Sequence, residues 1–210
     1  MHKKPCGDET SITAAEVEMP NWCANTVTFK HDDPEKIKDI VRAWNSGKFF
    51  SAFFPCPKEL EDVAVGSAGD ELSQQEKAAK EASNLRTYGY TNWYDWRVAE
   101  WGTKWDVGRE EGRRRRVLKA GVKKVTLRFD SAWAPPVGFY EKMHDQHEYG
   151  IDAYFFEPGM GFCGSWRDGF VAEFSLSHIK TVNDLRATVP AKIINEFKIA
   201  DMVAEEIEDT

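Results

Sequence analysis

Nowhere in its 210 residues does the chain have the run of roughly 20 apolar residues that a membrane-spanning helix needs, so the sequence predicts none and no membrane partner. Paired cysteines are missing as well. Cys6, Cys23, Cys56 and Cys163 stand far apart with no CxxC, which excludes zinc ribbons and thioredoxin-like redox sites. There is no HExxH, no GxxxxGK phosphate loop and no nucleophile with a recognisable base. The opening MHKKPCGDETSITAAEVE lacks the apolar core of a signal peptide, so a cytoplasmic protein with free thiols is expected. Positive charge is in deficit: 28 Lys and Arg against 35 Asp and Glu leave a net charge of -7. Such a chain is a poor general binder of phosphate backbones.

What is present is enough for a packed core. Hydrophobic residues make up 41% of the chain, and eight of its residues are Trp. The charge is uneven. Arg109, Arg113, Arg114, Arg115, Arg116, Lys119, Lys123 and Lys124 crowd one segment, while Asp201, Glu205, Glu206, Glu208 and Asp209 crowd the C-terminus. The basic run reads either as a solvated face or as a patch for nucleic acid, the latter through Arg113, Arg114, Arg115 and Arg116.

Residues 1–18 are polar and aperiodic and read as a flexible tail, with one domain from 19 to 210. Alternation predicts strands at Asn25–His31, Val122–Trp133, Ile151–Phe156 and Phe170–Ser177. Asp168-Gly169 is a hairpin-turn signal, which makes Gly161–Trp166 the strand opposite Phe170. Helices are predicted at Pro34–Asn45, Trp93–Trp101, Val137–Tyr149 and after Pro190. Residues 107–121 read as loop. A polar, Ala-rich helix within about 58–90 reads as a helical insertion. The predicted class is α+β: a ferredoxin-like sandwich of one antiparallel sheet with helices on one face.

The Trp-rich helix carries most of the functional signal. At 100° per residue, Tyr94, Val98 and Trp101 form one stripe, read as the core side. Trp93, Trp96 and Arg97 then need another partner: either the insertion covers them, or they form an exposed aromatic and cationic surface. On the second reading the site comprises Trp93, Trp96, Arg97 and Lys104, bordered by Ser131, Trp133 and the Pro135-Pro136 turn. Trp offers a flat stacking face, and Arg a fork for phosphate or carboxylate. His144 and His147, three apart, lack a third ligand, so no metal is expected. No cofactor is expected either.

Three blocks carry a resemblance: Met19-Pro20-Asn21-Trp22-Cys23-Ala24-Asn25, Asn92-Trp93-Tyr94-Asp95-Trp96-Arg97 through Trp101-Gly102-Thr103-Lys104-Trp105-Asp106, and Phe129-Asp130-Ser131-Ala132-Trp133-Ala134-Pro135-Pro136. Together they resemble the YubB-like proteins of conjugative plasmids and bacteriophages, which carry a ferredoxin-like domain, over about residues 19–180. The resemblance implies a mobile-element protein in a bacterial host cell and brings no catalytic residues. The expected function is that of a non-enzymatic accessory protein that binds and modulates a host component, counteracting host defence. Two alternatives stay open: sequestration of a nucleotide-like ligand by the Trp/Arg surface, and nucleic-acid binding by the sheet.

Overall fold

The computed structural model describes residues 21–65, 73–108 and 115–208, with side chains to 205. Residues 1–18, read from sequence as a tail, lie outside this set, as do Arg113 and Arg114. Strand β1 (Trp22–Lys30) leads into helix α1 (Pro34–Ser46). Three helices follow, α2 (Lys58–Glu61), α3 (Gln74–Tyr88) and α4 (Trp93–Trp101). Then come β2 (Arg115–Ala120), β3 (Lys124–Ala132), α5 (Val137–His147), β4 (Gly150–Glu157), β5 (Phe162–Arg167) and β6 (Phe170–Ser175). Helices α6 (Val182–Thr188), α7 (Ala191–Phe197) and α8 (Ile199–Glu208) end the described chain.

The strands form one open antiparallel sheet in the order β2-β3-β1-β4-β5-β6. β1 lies inside it because both its edges are paired, Val27 opposite Leu127 on one side and Ala153 on the other. Alternation gives the sheet two unlike faces. The first carries Val27, Phe29, Val125, Leu127, Phe129, Ile151, Ala153 and Trp166, all fully buried or nearly so. Against it pack Ile37, Ile40 and Trp44 of α1, Phe139, Tyr140 and Met143 of α5, and the turn holding Phe49 and Phe50. The apolar run before Pro55 is therefore an aromatic plug. The Phe139 ring sits 4.7 Å from Phe50 and 5.3 Å from Phe49, within the range of favourable ring pairing.

The second face alternates with the first and holds Thr26, Thr28, Arg128, Tyr154, Phe156 and Cys163. Leu185, Ile193, Ile194 and Ile199 of α6–α8 cover its β4–β5 side. Helices thus lie on both faces, which corrects the expectation of helices on one. Tyr154 and Phe156 are apolar on the face opposite Ala153 and Phe155, and a strand apolar on both sides must be covered on both.

Two further expectations are corrected. The segment 107–121 is not all loop: Arg115–Ala120 pairs with β3 as an edge strand, broken between Val117 and Lys119. Its exposed cations hide the β signal. The helix after Pro190 is not continuous, because Lys198 takes the left-handed conformation at φ 56° and turns the chain between α7 and α8. The predicted hairpin at Asp168-Gly169 is present, with both residues left-handed at φ 43° and 91° between β5 and β6. Helix α1 begins as its cap predicts. Asp33 Oδ1 accepts from the Glu35 amide at 2.8 Å, Pro34 fills the first turn, and Gly47 at φ 79° ends the helix.

Candidate binding site

Helix α4 starts where Asn92 Oδ1 accepts the amides of Tyr94 and Asp95, at 2.9 and 3.0 Å, and stops at Gly102, left-handed at φ 87°. Gly102 is also a packing requirement: a Cβ there would meet Val137 N at 2.8 Å. Opposite, a Cβ on Gly138 would meet the carbonyl oxygens of Ala99 and Glu100 at 3.0 Å. The two glycines let α4 lie directly on α5.

This packing reverses the predicted orientation of α4. Trp96 and Trp101 are buried, with rings 5.6 Å apart, whereas Tyr94 and Val98 are 39% and 42% exposed. The inward stripe is Trp93, Trp96, Arg97, Glu100 and Trp101, an i, i+3, i+4, i+7, i+8 series. Trp101 Nε1 donates to the Phe54 carbonyl at 2.9 Å. Arg97 sits within this layer. Its guanidinium lies 5.0 Å from the Trp93 ring and 5.1 Å from the Trp101 ring, and Nη2 donates to Glu61 Oε1 at 2.7 Å. Arg97 and Trp93 thus meet as foreseen, but as a clamp joining α4 to α2. On the inner flank Lys142 pairs with Glu100 and lies 5.6 Å from the Trp96 ring.

The aromatic surface lies beyond the end of α4. Lys104 Nζ stands 4.3 Å from the Trp105 ring centre and 5.8 Å from that of Trp133. Trp105 in turn faces Trp22 at 6.0 Å. Trp133 is 38% exposed and its backbone is left-handed, φ 69°. For a bulky side chain that conformation costs about 1–2 kcal/mol. Surrounding bonds hold it in place. Trp133 N donates to Asn21 O at 2.9 Å, and Ala134 N to Ala132 O at 2.9 Å. Ser131 Oγ donates to Ala134 O at 2.7 Å and accepts from Asn25 Nδ2 at 2.8 Å. Ser131 is therefore a buried latch behind the corner and not part of the surface.

Asp106 fixes the other side. Its carboxylate accepts the amides of Phe50, Ser51 and Val107, at 2.7, 3.0 and 2.7 Å, and the Ser51 hydroxyl at 2.6 Å. These bonds tie the 103–107 segment to the aromatic plug. Of the six residues predicted from sequence, Lys104 and Trp133 come together at an exposed corner, Trp93 and Arg97 form the clamp, and Trp96 and Ser131 are core. Sequence reasoning missed Trp22 and Trp105 as members. Trp105 adjoins Lys104 in the chain and was findable; Trp22 arrives only through the β1–β3 register, which places it opposite Ala132.

Next to the corner a cleft of about 260 Å³ runs between the second sheet face and α7–α8, with Trp22, Asp130, Phe156 and Phe197 in its walls. Arg128 spans it, donating to Thr26 Oγ1 at 3.1 Å and pairing with Glu196. A second groove, between α1 and the β2–β3 hairpin, is lined by Ile37, Val41, Ala120 and Val122 and is almost wholly apolar.

Burial, with help from Glu157, pushes the Cys23 thiol far up. Burial also raises Cys56 and Cys163 to about 11. All three are thus held as thiols at neutral pH, without the depressed pKa of a nucleophile. His144 Nδ1 lies 3.0 Å from Tyr149 O, and the His147 ring packs on Phe53 and Phe54. Among the described residues no group of three or more His, Cys, Asp or Glu is placed to hold a metal, and no helix is long and apolar enough to cross a membrane.

No protein-family model matches the chain, and no curated protein does. Among solved structures it is similar to a protein api92 from Yersinia pseudotuberculosis, described with the family model DUF1281. The TM-score is 0.41 and the identity 11%, covering 74% of this chain and 98% of that one. At that score the likeness assigns neither a fold family nor a function.

Proposed function

We propose that the protein is a non-enzymatic accessory protein of a bacterial mobile element, one that works by binding a host protein through the Lys104–Trp105–Trp133 corner. The observation that carries this reading is Trp133. A large apolar side chain is kept in a costly backbone conformation and left substantially exposed beside a lysine. Neither a core nor an ordinary solvated turn needs that combination. A contact surface does, because a rigid Trp supplies anchoring area at little entropic cost and the cation adds orientation. A role against host defence is what the sequence resemblance would add. The order β1-α1-β2-β3-α5-β4, with spatial order β2-β3-β1-β4, supports reading this part of the chain as ferredoxin-like, with β5, β6 and α6–α8 appended.

The test pairs binding with stability. Immobilised wild type, Trp133→Gly and Lys104→Glu proteins are compared for stoichiometric capture of a partner from bacterial lysate. Glycine relieves the left-handed strain of about 1–2 kcal/mol and so offsets part of the packing lost with the partly covered ring, and Trp133→Gly is expected to stay folded and yet to lose the partner. Full retention of the partner by both folded variants would refute the corner as the contact surface.

A further inference from the structure

The second face of the sheet is unlike the rest of this acidic molecule. On β2 and β3 it carries Arg116, Lys119, Lys124 and Arg128, and on β1 Lys30. The register places them together: Arg116 opposite Arg128, Lys119 opposite Thr126, Lys124 opposite Lys30. Arg116, Lys119, Lys124 and Lys30 are exposed. Among the described residues the acids near them are few, and Glu148 lines a shallow hollow with Lys30 and Lys124. Glu196 of α7 pairs with Arg128, and Asp152 of β4 pairs with Lys30 and Arg167. Asp130 lies deeper toward the cleft, and Asp32 takes the neighbouring Lys123 at 2.9 Å. Arg116, Lys119 and Lys124 make no ion pair with any described residue, so a net positive strip remains on a chain of net charge -7.

We propose that this strip binds the backbone of a single-stranded nucleic acid. Three features favour that occupant over an acidic protein. Between the cations stand the half-buried Thr28 and Thr126, joined through their hydroxyls at 2.9 Å. A stable protein interface needs an apolar centre, which this surface lacks, whereas phosphates need only cations and hydroxyls. Alternate residues of a strand repeat every 7 Å or so, comparable with the phosphate spacing of an extended single strand. On the same face, past Glu196 and Asp130, the half-buried Trp22 stands in the cleft wall with its ring 6.0 Å from Trp105, and the side of the ring toward the cleft is where a base would stack, a contact that a paired duplex cannot offer. Net acidity argues against general affinity for nucleic acid, but binding responds to the local field. The cations that carry the proposal are not residues of the protein-binding corner; the two surfaces share Trp22 alone, so the triple cation variant tests the strip independently of the corner.

The full chain is titrated against fluorescein-labelled oligothymidylate, read by anisotropy, from about 50 to about 300 mM salt. Three phosphate contacts predict a slope of log affinity against log salt near -2, at about 0.7 per contact. Arg116→Ala/Lys119→Ala/Lys124→Ala should weaken binding at least tenfold at the lowest salt and flatten the slope. Trp22→Ala should weaken binding without changing the slope. The control Lys80→Ala/Arg86→Ala removes two exposed cations from α3 and should bind as wild type. The proposal is overturned if wild type fails to bind at the lowest salt, or if the control loses as much as the triple variant. It also fails if duplex DNA binds as tightly as the single strand, or if polyglutamate displaces the oligonucleotide at equal charge. Unchanged melting of each variant assigns the losses to the surface.

Discussion

Replacing Arg97 by Ala is the sharpest test of the α4 geometry, because the two readings the sequence left open give opposite outcomes. On the exposed-surface reading the loss of Arg97 leaves the fold intact; on the reading that the insertion covers it, the loss destabilises. In the structure it stacks between Trp93 and Trp101 and ties α4 to Glu61 of α2, with only 22% of its side chain exposed. Each partly desolvated cation–π contact is worth about 0.5–1 kcal/mol, rising toward 2 when dry. The Glu61 pair, on a carboxylate that is 46% exposed, adds no more than about 0.5 kcal/mol. Packing of the aliphatic stem adds to this. Against these stands the buried Nε, which finds no hydrogen-bond partner and whose removal returns some energy. The net loss is about 2 kcal/mol, or roughly 4–8 °C in melting temperature for a domain this size. Thermal unfolding followed by circular dichroism reads it. Arg97→Lys keeps the charge but not the plane and should fall between, while Glu61→Ala should cost well under half as much as Arg97→Ala. An Arg97→Ala protein melting within 1 °C of wild type, on the order of 0.3 kcal/mol, would refute the clamp. Equal losses from Glu61→Ala and Arg97→Ala would show that the ion pair carries the effect and the stacking none.

Asp106→Asn should destabilise by about 2 kcal/mol, because the amide replaces a carboxylate that accepts four hydrogen bonds, and its NH₂ can accept none of them. Urea unfolding measures this, and an unchanged midpoint would show that the plug is held without it. Stability should also fall above about pH 9. Burial raises Cys23, Tyr140 and Tyr149 well above their ordinary values and Cys163 to about 11, so the unfolded chain releases these protons first. The contribution is fully present below the unfolded values and is lost as pH rises through the folded ones, at up to about 1.4 kcal/mol per pH unit for each group. A urea midpoint that stays flat from pH 8 to pH 10.5 would contradict it, and Cys23→Ala should make the decline shallower.

Why the fold was more legible in the sequence than the site follows from where each signal resides. Val125, Leu127 and Phe129 alternate with Thr126, Arg128 and Asp130, and that pattern needs nothing beyond the strand itself to be read. Asp33-Pro34 and Gly47 bracket α1 by local chemistry alone. Helix α4 is different. With four aromatics and Val98 in nine residues, several stripes are apolar enough to face inward, and the choice is made by a neighbour. Gly102 and Gly138 permit the close approach to α5, and that contact turns Trp96 inward and leaves Tyr94 and Val98 outside.

The same dependence on long-range register governs both proposed surfaces. Arg116, Lys119 and Lys124 lie in one basic run and Lys30 far from it in the sequence, and that run also includes Arg115, which turns to the opposite face and stacks 4.1 Å from the Trp44 ring. Only the pairing of β2 with β3 and of β3 with β1 sorts the cations by face, sending Arg115 toward the helices and Arg116 into the open strip. Trp22 is likewise 83 residues from Trp105 in the chain yet 6.0 Å from it in the fold. A charge run in the sequence therefore overstates the number of cations available on any one surface. The face of the sheet, which depends on register and on the irregularity between Val117 and Lys119, decides which of them can act together.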